Sequence, residues 1–275
     1  MSKYSTRYYR IQAAASRLSS DIVVPMVVEL VRPRSVVDVG CGMGAWLASF
    51  SECGVKDVFG IDGDYVDRAQ LQIDETCFTA RDLTRPLDID RRFDLVVSLE
   101  VAEHLPESAA APFVQSLVSL GQAVLFSAAI PYQGGTGHLN EQWPEYWAAL
   151  FAEHDYVPID CLRRRIWNNP SVEWHYAQNI LLYVHRDTLD ASPALSAEYA
   201  RTSLDQLALV HPRKLLNQCD PRYLSPTSLV RWLGAVALDT PTIVQSVYRR
   251  RRERRAPHLA TVAGANRHDS PHPAA

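Results

Sequence analysis

Apolar residues fall along this chain in two rhythms. Short β-branched runs that stop at glycine or an acid alternate with stretches where apolar positions recur every three or four residues. A first helix is expected over residues 20–31, with Asp21 near its start and an apolar face of Val23, Val27, Val28, Leu30 and Val31. Pro33 ends it. Residues 36–39 read as a buried parallel strand that stops at glycine. Trp46, Leu47 and Phe50 then recur at helical spacing. Further strands are expected at 57–61 (DVFGI), 76–80, 93–99 (FDLVVSL), 123–128 (AVLFSA), 156–162 and 180–184 (ILLYV), with helices at 109–120 and 143–154. Such alternation implies βαβ units and a mostly parallel sheet, hence an α/β fold. Beyond residue 186 the regularity stops. Two helices are expected there, at 197–210 and 227–248, the second running into RRRRERR, from Arg249 to Arg255. Residues 256–275 are rich in Pro, His, Ser, Ala and Gly and read as a disordered tail.

Composition narrows the classes. With 275 residues, 47% hydrophobic and 21% charged, the chain suits one large domain with an appendage. No window of eighteen apolar residues exists, and the opening MSKYSTRYYR has no apolar signal core, so a membrane span and secretion are not expected. Five scattered cysteines without a CxxC pair match neither a zinc site nor a disulfide framework, and fit a reducing cytoplasm. The net charge of −3 conceals an asymmetry: residues 1–186 carry 16 basic against 23 acidic residues, residues 187–275 carry 12 against 8. An acidic main domain is a poor match for long nucleic acid.

The chemistry begins where the first strand ends, in VVDVGCGMGAW (residues 36–46). Gly40, Gly42 and Gly44 permit a sharp turn and close approach of a ligand to the backbone, with Cys41 between them. The turn opens a helix, whose free N–H groups face the ligand. Asp38 precedes the glycines; beside a pyrophosphate it would be repelled, whereas a cationic ligand with an amino-acid end would welcome it. Asp62, followed by Gly63, lies about twenty residues on, where a carboxylate can accept both ribose hydroxyls. Asp82 and Leu83 follow the third strand, where an adenine amino group would be met. Each acid alone reads equally well as a helix cap or loop residue. In order at successive strand ends, they mark the edge where open α/β sheets bind ligands.

Asp38–Gly44, Asp62, Asp82 and FDLVVSLEVAEHL (93–105) together resemble the class I S-adenosylmethionine-dependent methyltransferases, over roughly residues 34–186. The resemblance implies a Rossmann-like seven-stranded, mostly parallel sheet whose last strand is antiparallel, with helices on both faces. It implies that the glycine loop holds the methionine end of S-adenosylmethionine, that Asp62 holds ribose and that Asp82 lies by adenine. Residues 1–33 would then be cap helices, in which Tyr4–Tyr9 cover the site, and residues 187–255 a C-terminal helical extension.

Glu100, Glu103 and His104 share one face at the end of the fourth strand. Glu-x-x-Glu-His offers oxygen and imidazole ligands to a divalent cation such as magnesium or manganese, and His138, in PYQGGTGHLNEQW, would be the further ligand. The arrangement is similar to that of small-RNA 3′-terminal 2′-O-methyltransferases and ubiquinone-pathway O-methyltransferases, where a later histidine joins such a turn. The surroundings of His138 differ from theirs. The same turn also occurs in the superfamily without metal. There the first glutamate, here Glu100, touches the cofactor pocket and the histidine is a turn residue or a base. Glu103, His104 and His138 are therefore candidates for catalysis with or without a metal. Residues 166–179 (IWNNPSVEWHYAQN) combine Trp167, Trp174, His175 and Tyr176 with amides, which suits a flat polar ligand or a capped core.

The function expected is methyl transfer from S-adenosylmethionine to a hydroxyl of a small-molecule acceptor, a sugar or secondary metabolite. The alternatives are a metal-dependent RNA 2′-O-methyltransferase and a non-catalytic S-adenosylmethionine-binding protein. The run from Arg249 to Arg255 reads as a solvated tail or a weak peripheral membrane contact.

Overall fold

The computed structural model describes residues 6–219, 229–230 and 233–234. The chain divides into two compact units, Met1–Lys214 and Leu215–Ala275. Of the second, residues 215–219, 229–230 and 233–234 are helical. The remainder of the expected helix at 227–248, the basic run and the tail lie outside the described residues, as does Tyr4.

The first unit holds, in chain order, α1 (Thr6–Val31), β1 (Ser35–Val39), α2 (Ala45–Glu52), β2 (Asp57–Asp62), β3 (Phe78–Ala80), β4 (Leu95–Leu99), α3 (Ala110–Leu120), β5 (Ala123–Ser127), α4 (Pro144–Ala152), β6 (Tyr156–Ile159), α5 (Arg163–Ile166), α6 (Trp174–Asn179), β7 (Leu181–His185), α7 (Arg186–Ala191) and α8 (Pro193–Tyr199). The helix α9 (Pro212–Cys219) begins at its end. The strands form one seven-stranded sheet in the order β3-β2-β1-β4-β5-β7-β6. All pairings are parallel except those of β7, which runs antiparallel to both β5 and β6. The α/β Rossmann-like sheet expected from the sequence is therefore present, with β7 as its antiparallel strand.

Period-two alternation splits the core between two faces. Val36, Leu95, Val97, Leu99 and Leu125 pack with Val23, Val27 and Trp46. Val37, Val39, Val96, Val124 and Phe126 pack with Phe113, Leu117, Trp147 and Phe151. So α1 and α2 cover one face, and α3 and α4 the other. Both edge strands are short, and Pro158 sits on the edge strand β6, where its missing N–H breaks no inner ladder.

Three expectations need revision. The first helix starts at Thr6, well before residue 20. Asp21 does not begin it; its carboxylate takes the Ser49 hydroxyl at 2.8 Å and an ion pair with Arg17 one turn back at 2.9 Å. The Ala-rich stretch before it has the propensity to continue a helix that packing on α2 already fixes. The strand expected at 156–162 ends at Ile159, and residues 163–179 form α5 and α6. The helix expected at 197–210 is instead α8, ending at Tyr199, and a single turn at Leu204–Gln206. Pro193 starts α8 at its first turn, where a proline is tolerated. Leu189 of α7 and Leu195 of α8 are buried in the core, so residues 187–214 fold with the sheet. Among the described residues, no helix is long and apolar enough to cross a membrane.

Candidate functional site

The glycine loop lies between β1 and α2. Gly40, Gly42 and Gly44 take φ of +89°, +53° and +80°. Gly40 is the most constrained: a Cβ there would lie 2.3 Å from Cγ2 of Val101. The loop therefore abuts the turn that follows β4, and the two motifs form one surface. Gly40 and Cys41 both donate to the Ile61 carbonyl, at 2.7 and 3.2 Å, which ties the loop to the end of β2.

Asp62 ends β2 and organises this corner. Oδ2 accepts the Gly42 N–H at 2.7 Å; Oδ1 accepts the Gly63 N–H at 2.6 Å and the Tyr65 hydroxyl. Asp38 is buried beneath the loop. Burial pushes its carboxyl well above the usual carboxylate range, and the charge of Asp62 adds to the effect. Cys41 is buried as well, and burial raises its thiol far beyond physiological pH, so it is inert there. Asp82 stands at the same sheet edge, past β3, and is exposed. Its Oδ1 takes the hydroxyl and N–H of Thr84, at 2.7 and 3.0 Å, which hold its carboxyl below the usual range. Leu83 turns the other way and packs with Ala102 and Leu105 in the core.

Glu100 follows β4 in the left-handed region, φ +55°. Its N–H is held by the Ser127 carbonyl at 3.0 Å and hydroxyl at 3.1 Å. Its carboxylate receives two amides: Asn179 Nδ2 on Oε1 at 3.0 Å and Gln133 Nε2 on Oε2 at 2.9 Å. Gln133 Oε1 in turn accepts from Gln178 at 3.0 Å and Asn179 at 2.9 Å. Gln133 and Asn179 were not singled out from the sequence, since an amide in the loop after β5 and one at the end of α6 carry no motif.

Glu103 is 0% exposed, and among the described residues neither carboxylate oxygen has a hydrogen-bond partner. Burial drives its carboxyl well above the usual range, and the Glu100 charge pushes the same way. Beside it are His104 and His138, and the ligand atoms of the three lie within 4.8 Å of one another. The imidazoles meet edge to face, centroids 4.8 Å apart. Burial, and then the neighbouring His138, lower the pKa of His104. The loop that brings His138 in is stitched to the turn: the N–H groups of Leu139 and Asn140 donate to the Glu103 carbonyl at 2.7 and 3.0 Å. Glu141 takes His138 Nδ1 at 2.8 Å and the Gly134 N–H at 2.7 Å. Glu141 is a further residue the sequence did not single out. It lies three residues from His138, a spacing too common on its own to signal anything.

The structure thus brings Glu103, His104 and His138 together and sets Glu100 aside, its carboxylate engaged by amides. An orphaned buried carboxylate with two imidazoles is a donor set that fits a divalent cation. The glycine cradle, closed to a Cβ by Val101 and flanked by Asp38 and Asp62, fits the amino-acid and ribose ends of S-adenosylmethionine. Within residues 166–179, Tyr176 goes to the core, its ring 5.1 Å from that of Trp46, while Asn179 serves the site.

A family model described as a methyltransferase domain matches residues 6–168, more than half of the chain. A ubiquinone biosynthesis O-methyltransferase of Rhodopseudomonas palustris (strain BisB18) is 28% identical over 127 residues, which cover 42% of this chain and 43% of that protein. The chain therefore matches less than half the length of that relative. Among solved structures, the magnesium protoporphyrin IX methyltransferase of Synechocystis PCC 6803 with bound S-adenosylmethionine superposes with a TM-score of 0.47 at 19% identity, covering 62% of this chain and 80% of that one. A sugar N-methyltransferase of a Streptoalloteichus species gives 0.47 at 17% identity, covering 61% and 87%.

Proposed function

The chain belongs to the class I S-adenosylmethionine-dependent methyltransferase family, and from that premise we propose that it transfers the methyl group of S-adenosylmethionine to a hydroxyl of a small-molecule acceptor. The observation that carries the proposal is the cluster of Glu103, His104 and His138, joined through Val101 to the glycine loop. S-adenosylmethionine supplies an electrophilic methyl. The protein's own task is to align a nucleophile with it and to dispose of the nucleophile's proton.

Asp38 and the loop hold the methionine end, Asp62 the ribose, and Asp82, once its turn with Thr84 opens, the adenine edge. Glu103, His104 and His138 would hold a magnesium or manganese ion, which when bound would polarise an acceptor hydroxyl and lower its pKa. His138 is oriented by Glu141. His104, whose pKa is lowered by burial and by His138, is a neutral imidazole at physiological pH, the form that can ligate a metal. Glu100 shapes the wall between cofactor and acceptor through the amides of Gln133 and Asn179.

An acidic edge supports a small acceptor over RNA, whose phosphates would meet Glu100 and Glu141. A sugar or a phenolic metabolite is the acceptor class. Incubation with methyl-labelled S-adenosylmethionine and a small-molecule extract tests the reading: an O-methyl product is expected, and label confined to RNA or to no product would refute it.

A further inference from the structure

Residues 93–162 contain no lysine or arginine. They build β4, β5 and the loops that carry Glu100, Glu103, His104 and His138, so this half of the site has acids but no fixed cation of its own. The positive charge arrives from elsewhere in the chain. After the turn at Leu204–Gln206 the backbone runs as a strap back over this region, and its anchors are specific. The buried Arg163 donates to the Leu207 carbonyl at 2.7 Å. Glu145 accepts the Ala208 N–H at 3.1 Å, and Gln178, itself part of the amide network on Glu100, accepts the His211 N–H at 2.9 Å. The His211 ring lies against Trp167, centroids 4.7 Å apart, with Nε2 2.9 Å from the Trp167 carbonyl.

The strap delivers Lys214, 8% exposed, to the Gln133 carbonyl, its one hydrogen bond among the described residues. Gln133 is the residue whose side chain grips Glu100. The ammonium thus sits beside the amide network, 6.0 Å from the centre of the Trp174 ring and within reach of the Glu141 charge.

We propose that Lys214 is the acceptor-binding cation of this site, and that the acceptor carries a carboxylate as well as the hydroxyl that is methylated. This rests on the O-methyl-transfer reading above. An ammonium has three protons to donate and the Gln133 carbonyl uses one, so a ligand oxygen has donors to meet. Burial lowers the pKa of this lysine, while Glu141 acts the other way, so the charge is poorly solvated where it sits. A ligand anion restores what water does not supply. A single lysine among Glu100 and Glu141 suits one negative charge, and a dianionic phosphate would meet more repulsion than attraction. The strap lies beyond the residues that match the family model, which end at 168.

The test uses two probes that share a catechol and differ only in charge, 3,4-dihydroxybenzoate and its methyl ester. Each is titrated calorimetrically into the full chain loaded with S-adenosylhomocysteine, in the wild type, Lys214→Met and Lys214→Arg, and methyl transfer from labelled S-adenosylmethionine is measured in parallel. The wild type is expected to bind the acid about tenfold more tightly than the ester, the worth of one charge-assisted hydrogen bond. Lys214→Met brings the acid to the ester's level and leaves the ester unchanged, which also reports an intact fold. Lys214→Arg keeps part of the preference. A wild type indifferent to the charge, or a Lys214→Met that weakens both probes alike, overturns the proposal. Label on neither probe, with the affinity ratio behaving as stated, overturns the transfer reading and supports Lys214 as the anion site.

Discussion

Glu141 Oε1 stands 2.8 Å from His138 Nδ1, and the same oxygen holds the Gly134 N–H at 2.7 Å. A carboxylate on one ring nitrogen fixes the proton there and leaves Nε2 as the basic nitrogen. Glu141 is therefore a positioning residue for the cluster of Glu103, His104 and His138. Replacing it with alanine is expected to weaken manganese binding by about ten- to a hundredfold, the usual effect of losing a group that orients a ligating histidine. Calorimetric titration of the protein with manganese alone measures this directly. Unchanged affinity in Glu141→Ala would separate Glu141 from metal binding.

Asp62 carries three donors, from Gly42, Gly63 and Tyr65. In the proposed cofactor site its two oxygens accept the ribose hydroxyls, so Asp62→Ala is expected to lower S-adenosylmethionine affinity by roughly a hundredfold or more, the worth of two hydrogen bonds to a charged group. Equilibrium binding of the cofactor is the readout. A drop of less than about threefold would remove Asp62 from the cofactor site.

Gly40 and Val101 meet at a distance that admits no side chain. In Gly40→Ala the new Cβ falls 2.3 Å from Val101 Cγ2, at a φ of +89° that alanine adopts poorly. Cofactor affinity and thermal midpoint should both fall. Val101→Ala in the same chain should recover the part due to the clash but not the part due to the backbone. A double-mutant cycle therefore yields a favourable interaction energy of about 0.5–3 kcal/mol. Strict additivity of the two substitutions would show that the loop and the turn do not touch.

Asp38 is held in a place that opposes its charge. Because its folded pKa lies above the unfolded one, the stability it contributes is complete at pH below the unfolded value of about 3.9 and is lost as pH rises through the folded value. Asp38→Asn keeps the neutral form throughout. Without ligand, the variant is expected to melt higher than the wild type at neutral pH, by about 2–4 °C per kcal/mol recovered at this size. The gap should close toward pH about 4. The same substitution should weaken cofactor binding, because in the proposed site the carboxylate meets the ligand's cationic end. A variant that melts lower than the wild type at neutral pH and binds S-adenosylmethionine normally would contradict both parts.

The sheet was legible in the sequence because each strand is a short apolar run stopped by glycine or an acid, and burial on both faces leaves no other pattern. The clustering of Asp38, Asp62 and Asp82 at one sheet edge was legible for the same reason, since they stand at or beside the ends of β1, β2 and β3. The helix of residues 6–31 was misjudged at its start because Asp21, a good cap in isolation, is spent on Ser49 and Arg17. The acceptor side was only half legible. Glu103, His104 and His138 could be nominated from residue type, but Glu100 was grouped with them by helical spacing. The chain instead turns through a left-handed residue there and gives the Glu100 carboxylate to Asn179 and Gln133. Gln133, Asn179 and Lys214 meet across separations of tens of residues, through hydrogen bonds that no local pattern encodes.

The most direct test is transfer of label from methyl-labelled S-adenosylmethionine to a small-molecule extract by chelator-treated protein, before and after magnesium or manganese is restored. An O-methylated small molecule that disappears with chelation and returns with metal, in the wild type but not in Glu103→Gln or His138→Ala, is the predicted result. Undiminished transfer in chelator, or transfer unaffected by both substitutions, would contradict the role given to Glu103, His104 and His138.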